Sequence, residues 1–208
     1  MTYDFDKPYW ETHWAAVHGA AQTPASPANP YLERETESLQ PGTVLDAGCG
    51  AGAEAIHLAR RGWDVTGVDI SSRALGHAAR SADQAGVAER TRWVEADATV
   101  WSPDVEFDLV MTHYAHPASA QLDFYERIAS WVKPGGSLPI VGHLHGAHNH
   151  APEHPPEEAS THTAAISARL NPGQWRVLTA REESRRGRNP AGEEVTLHDV
   201  VLMARRRP

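Results

Sequence analysis

TVLDAGCGAGAE, residues Thr43 to Glu54, packs a buried strand, a glycine turn and the start of a helix into twelve positions. Thr43-Val44-Leu45 is a short apolar run whose β-branched residues favour a strand, and Asp46 falls where that strand ends at the carboxyl edge of a sheet. Gly48, Gly50 and Gly52 then occupy every second position. Glycine reaches positive φ and leaves room beside the main chain, so such a turn accommodates a ligand pressed against the backbone. Ala53 to Arg61 has helical composition, with Ile56, Leu58 and Ala59 on an inner face and Gly62 as its stop.

Two cofactor classes compete for this turn. Gly48-Cys49-Gly50-Ala51-Gly52-Ala53 fits the looser dinucleotide pattern GxGxxG/A, and Asp69 ends the next apolar strand, Trp63 to Val68, about 20 residues on. Asp69 is placed to accept from ribose hydroxyls in either case. Asp46 separates the two, because a carboxylate beside a pyrophosphate is unfavourable and one beside a cationic amino acid is favourable. S-adenosylmethionine carries an ammonium and a sulfonium and has no phosphate.

From Val44 to Val141 the chain resembles the class I S-adenosylmethionine-dependent methyltransferases. Their first motif is similar to Val44-Leu45-Asp46-Ala47-Gly48-Cys49-Gly50-Ala51-Gly52, their ribose-binding acid to Asp69 in Val68-Asp69-Ile70-Ser71, and their adenine-flanking acid to Asp97 in Val94-Glu95-Ala96-Asp97-Ala98. Phe107 to Met111 resembles their fourth strand, and Val132-Lys133-Pro134-Gly135-Gly136 the turn before the fifth. The resemblance implies a Rossmann-like α/β fold: seven strands in the order 3-2-1-4-5-7-6, strand 7 antiparallel, helices on both faces. It also implies S-adenosylmethionine as cofactor and S-adenosylhomocysteine as product. The implied cofactor residues are Asp46, Ala47, Gly48, Cys49, Gly50 and Gly52 in the turn, Asp69 and Ile70 after strand two, Asp97 and Ala98 after strand three, Thr112 and His113 after strand four, and Trp14 from the N-terminal segment.

A chain of 208 residues supports one core, read as 1–40 lid and connector, 41–142 cofactor core, 143–174 acceptor-side insertion and 175–208 closing hairpin. The formal net charge of −8 disfavours a nucleic acid partner and leaves a small-molecule acceptor. The lone Cys49 excludes an internal disulfide, and no apolar run long enough for a membrane span or a signal peptide opens the chain. A cytoplasmic location is expected; the oligomeric state is not legible.

Outward from the core, Tyr3 to Gly19 is rich in aromatics, and a helix from near Pro8 puts Tyr9, Trp10 and Trp14 on one face. The opening resembles thiopurine and tellurite-resistance methyltransferases, which implies a lid over the cofactor mouth. Ala20 to Pro30 reads as a connector and Tyr31 to Leu39 as a helix. Ser71 caps a helix to Ala85 with Ala74, Leu75, Ala78 and Ala82 inward, and a covering helix spans Ser119 to Val132. Trp101 is either a wall of the adenine pocket or core.

His113 and His116 leave the carboxyl end of strand four and His143 that of strand five, the edge where such sheets bind ligands. A histidine near neutral pH is a natural base for an acceptor proton, which makes these three the catalytic candidates. The fifth strand is read as Ser137 to Gly142, with Pro139 an unexplained loss of a ladder donor. His143, His145, His148, His150 and His154 crowd the next stretch; with Gly, Asn and Pro between them and no cysteine, they read as a solvated loop and no metal site is assigned. A helix from Ala159 to Leu170 follows. Trp175 to Glu183 and Thr196 to Arg205 then form a hairpin whose arginines read as solvated edge charge. The expectation is methyl transfer to a thiol, a chalcogen oxyanion or a small hydroxylated metabolite. A noncatalytic cofactor-binding or metal-sensing protein on the same fold, and an NAD(P)-dependent oxidoreductase, remain as alternatives.

Overall fold

The computed structural model describes residues 5–17, 27–144, 161–188 and 193–208. Side chains of β1 (Thr43–Ala47) alternate between two apolar layers, as a period of two requires. Val44 packs with Leu109 and Met111, while Leu45 and Ala47 join Val110 on the opposite face. Helix α3 (Ala53–Arg60) closes the first layer through Ala55, Ile56, Leu58 and Ala59, aided by Ala82 of α4 (Ser72–Gln84). The second layer is closed by Phe124, Tyr125 and Ile128 of α5 (Gln121–Ala129) and Ile166 of α6 (Thr163–Arg169). Each fully buried leucine or isoleucine among them is worth about 1.5–3 kcal/mol, so the sheet is stabilised from both sides.

The remaining strands are β2 (Asp64–Asp69), β3 (Thr91–Glu95), β4 (Phe107–His113), β5 (Val132–His143), β6 (Trp175–Arg188) and β7 (Glu194–Arg206). They form one sheet in the order β3-β2-β1-β4-β5-β7-β6. The first five strands run parallel, and β7 is antiparallel to both β5 and β6. Strand order reverses between β1 and β4, which opens a crevice at their carboxyl ends.

Order, direction and helix placement agree with the sequence reading; several boundaries do not. β5 begins at Val132, because Gly135 at φ +78° and a register shift opposite Phe107 and Leu109 let the expected turn stay in the ladder. The covering helix α5 is correspondingly shorter than Ser119 to Val132 and begins after Ala120, whose ψ of 131° is extended. Pro139 sits inside β5 opposite Met203, and the register with β7 runs unbroken from Ser137 to His143, so its missing donor is tolerated. The strands of the closing hairpin are longer than expected, with Arg185 and Arg186 in β6 and not in a loop.

Helix α1 (Lys7–Val17) starts one residue before Pro8, with the Asp6 carboxylate accepting from the Tyr9 N–H at 2.9 Å. Helix α2 (Pro30–Thr36) is capped by Asn29 and ends three residues before Leu39. The expected start of α6 at Ala159, the connector from Ala20 to Ser26, and His145, His148, His150 and His154 lie outside the described residues.

Candidate active site

The carboxyl ends of β1 to β4 and the inner face of α1 enclose one cavity of about 660 Å³. Its floor is the glycine turn. Gly48 and Gly50 hold φ of +75° and +52°, which β-carbon-bearing residues rarely adopt. Space forbids a larger residue as well: a Cβ on Gly48 would lie 2.5 Å from that of Ala115, and one on Gly50 2.9 Å from the Trp14 ring. The N–H groups of Gly48 and Cys49 both donate to the Val68 carbonyl, at 2.8 and 3.0 Å, which ties the turn to β2.

Three carboxylates meet on this floor. Asp46 is buried, and its Oδ2 has no hydrogen-bond partner among the described residues. Burial first, then the nearby Glu54 and Asp69, push its carboxyl well above the usual range. Asp69 is raised by burial against the opposing pull of backbone donors; it accepts from the Gly50 N–H at 2.8 Å and the Ser71 N–H at 2.9 Å. Glu54, in the first turn of α3, accepts from the Asn29 N–H at 3.1 Å. The Cys49 thiol is also pushed up, by burial first, and is held as a neutral thiol in the wall.

On the β3 side, Asp97 Oδ1 accepts from the N–H and Oγ1 of Thr99 at 2.8 and 2.7 Å, a turn cap that leaves Oδ2 for a ligand. Trp101 packs edge-on against Trp131 at 5.8 Å and belongs to the core. On the β4 side, His113 lines the cavity with both ring nitrogens hidden from solvent and unpartnered among the described residues. Burial lowers its pKa, so the imidazole rests in its neutral form.

Tyr114 follows with φ +55°, the one positive φ outside glycine among the described residues. Its ring stacks on His143 at 4.4 Å and His143 on His116 at 5.6 Å, while His116 meets Phe5 in a tilted contact at 5.4 Å. The Tyr114 hydroxyl donates to Asp199 at 2.9 Å and accepts from Asn29 Nδ2 at 3.0 Å and Arg185 at 3.2 Å. Asp199 is fully buried and paired with Arg185 at 2.7 Å. The unusual backbone of Tyr114 is thus held by α2's cap and both hairpin strands. Arg185 is no solvated edge charge.

Helix α1 roofs the cavity with Trp10, His13 and Trp14, spaced three and four apart, while Tyr9 turns instead to Phe5 at 5.3 Å. Glu11 fastens the helix to the start of α4, accepting from Ser72 N–H at 2.7 Å and pairing with Arg73 at 3.0 Å. Lys7 pairs with Glu95 at the end of β3.

A methyltransferase domain family matches residues 44–136. A ubiquinone biosynthesis O-methyltransferase of Paracidovorax citrulli is 33% identical over 175 residues, with 71% of each chain covered. The chain belongs to the class I S-adenosylmethionine-dependent methyltransferases. A methyltransferase of Geobacter sulfurreducens, solved with S-adenosylhomocysteine, is 25% identical at a TM-score of 0.54, covering 64% of this chain and 55% of that one. The structure solved for conversion of a disulfide bond into a thioacetal group in echinomycin biosynthesis shares the fold at a TM-score of 0.71, with 23% identity and 95% and 91% coverage. Against the first curated relatives the chain spans about half of their length, 44% and 58% of two of them.

Within this methyltransferase fold the cavity wall gathers most of the residues singled out from sequence: Trp14, Asp46, Gly48, Cys49, Gly50, Asp69, Ile70, Asp97, Ala98, His113 and His116. Four stand behind it. Ala47 accepts from Thr112 Oγ1 at 2.8 Å, which clamps β1 to β4 below the floor. Gly52 meets Trp93 and Ala78, and His143 stacks on the lining residues Tyr114 and His116. Sequence reasoning missed Glu54, Tyr114, His13 and the Asn29, Arg185 and Asp199 partners. Glu54 and Tyr114 each adjoin a quoted motif, whereas the partners lie 71 and 85 positions from Tyr114 and carry no local signal.

Proposed function

We propose that this chain transfers a methyl group from S-adenosylmethionine to a small-molecule acceptor. The observation that carries the reading is Asp46: a buried carboxylate, its Oδ2 without a partner among the described residues, flanked by Glu54 and Asp69 in a cavity wall. Such a floor favours a cation and repels a pyrophosphate, which supports the sulfonium cofactor over a dinucleotide. The glycine cradle fits the same ligand, since Gly48 and Gly50 carry no side chain of their own and the Trp14 ring lies over Gly50. Bound there, S-adenosylmethionine supplies a methyl group already activated on sulfur.

Asp46 and the backbone of Gly48 to Ala51 would hold the amino-acid end, with Gly52 behind the turn, Asp69 with Ile70 the ribose, and Asp97 with Ala98 the adenine. Ala47 and Thr112 act beneath them as a clamp. Trp14 covers the turn from above, and α1 serves as a lid that excludes water from the reacting atoms. On this reading residues 1–40 are lid and connector, 41–142 the cofactor core, 143–174 the acceptor side and 175–208 the closing hairpin. His113 accepts the acceptor's proton where one must leave, with His116 beside it and His143 stacked behind as their support. The acceptor classes compatible with this chemistry are thiols, chalcogen oxyanions and small hydroxylated metabolites.

The test is calorimetric titration of metal-stripped protein with S-adenosylhomocysteine and, separately, NADH, for wild type and Asp69→Ala. Micromolar binding of the first ligand alone, lost on substitution, is expected. NADH binding, or no binding of S-adenosylhomocysteine by demonstrably folded protein, would overturn the assignment.

A further inference from the structure

The acceptor half of the cavity has a composition that selects by charge. Around the end of β4 the wall is built from the rings of Phe5, Trp10, Trp14 and Tyr114 with the imidazoles of His13, His113 and His116. Beneath them lie the carboxylates Asp46 and Glu54. Among the described residues the one lysine or arginine on the whole wall is Arg80. It belongs to α4, beside His77 at 2.8 Å, on the helix that packs over β2 and β3. β1 separates β2 from β4, so Arg80, on the helix over β2 and β3, belongs to the other half of the wall.

Arg185 reaches the cavity only at the Tyr114 hydroxyl, and its charge is already met by the buried Asp199 at 2.7 Å. Residues 1–4, 18–26, 145–160 and 189–192, whatever their placement, contain no lysine or arginine and four acidic residues, Asp4, Glu153, Glu157 and Glu158. An anionic acceptor would therefore surrender its hydration to aromatic walls, with carboxylates below and, among the described residues at this end, no lysine or arginine to replace the water. A cationic acceptor would meet the positive charges of the cofactor that Asp46 and Glu54 already balance. Flat rings, by contrast, match an aromatic guest in shape and polarity.

We infer that the acceptor is an uncharged, planar aromatic or heteroaromatic molecule, lying against the ring cluster of Trp10, Phe5 and His116, with its O–H, N–H or S–H turned toward His113. This inference rests on the methyltransferase reading and removes chalcogen oxyanions and carboxylates from the acceptor classes. Atoms balance simply: the acceptor heteroatom gains the methyl, its proton passes to the His113 imidazole, and the sulfonium leaves as the neutral thioether.

The test uses 2-naphthol and 2-naphthoate, the same ring without and with a charge, titrated calorimetrically into protein saturated with S-adenosylhomocysteine at pH 7.5. The neutral ring is expected to bind about tenfold or more tightly than the anion, the effect of stripping water from one charge against uncharged rings. His13→Arg, which plants a cation on the roof, is expected to shift that ratio toward naphthoate by a similar factor. Naphthoate binding as well as naphthol, binding of neither, or a ratio unmoved by His13→Arg would overturn the inference while bound S-adenosylhomocysteine left the function standing. Failure to bind S-adenosylhomocysteine would overturn both.

Discussion

Replacing Asp46 by asparagine is expected to make the ligand-free protein more stable and the ligand-binding protein worse. In the free protein the Asp46 carboxylate is buried, one oxygen lacks a partner, and Glu54 and Asp69 repel it. Its folded pKa is raised, so the native state holds a proton that the unfolded chain releases at its lower value. The penalty is absent below the unfolded value of about 3.9, grows as pH rises toward the folded pKa, and is constant above it. Asparagine removes the charge and most of that penalty, which for an uncompensated buried polar group is about 1–3 kcal/mol. Each kcal/mol moves the melting temperature of a domain this size by about 2–4 °C, so a rise of roughly 2–12 °C is expected at pH 7.5. Near pH 4 the difference should nearly vanish. Binding moves the other way: a charge-assisted hydrogen bond to the ligand ammonium is lost, worth about 1.5–3 kcal/mol, or roughly 10- to 150-fold in Kd. Scanning calorimetry at pH 7.5 and 4, with titration of S-adenosylhomocysteine, reads both. An Asp46→Asn protein that melts lower than wild type at pH 7.5, or binds the ligand equally well, refutes the reasoning.

Three further outcomes follow from the same geometry. A cationic ligand restores the ionised form of Asp46, so binding should release a proton at pH values between the ligand-bound and ligand-free pKa and weaken as pH falls through the free value; titration in two buffers of different ionisation enthalpy measures it, and zero net release counts against the cation. Tyr114→Phe removes the hydroxyl shared by Asp199, Asn29 and Arg185, and urea unfolding should show a loss of about 1–3 kcal/mol; a loss within error would mean that the network does not hold this loop. Gly50→Ala sets a methyl group 2.9 Å from the Trp14 ring at a φ of +52°, so it should displace α1 and lower S-adenosylhomocysteine affinity about tenfold or more, whereas unchanged affinity with unchanged Trp14 fluorescence would show that the ring does not cover the turn.

What the sequence determined by itself is the cofactor side of the fold. Alternation in Val44, Leu45, Asp46 and Ala47, the glycine turn, the Ser71 cap and the acids Asp69 and Asp97 at strand ends are all local. Strand and helix periods, turn chemistry and caps act within a few residues, so their consequences can be read off contiguous letters. Boundaries were less legible: β5 absorbs Val132 to Gly136 because its partner strand can take a register shift, a property of the pair and not of the segment. The acceptor side was decided by tertiary structure alone. Only the order β4-β5-β7-β6 brings Asp199 and Arg185 under the Tyr114 hydroxyl, and it is the docking of α1, through Glu11 on α4 and Lys7 on β3, that hangs Trp14 over Gly50. Such contacts join residues far apart in the chain through topology and register, which leave no periodic trace in either segment.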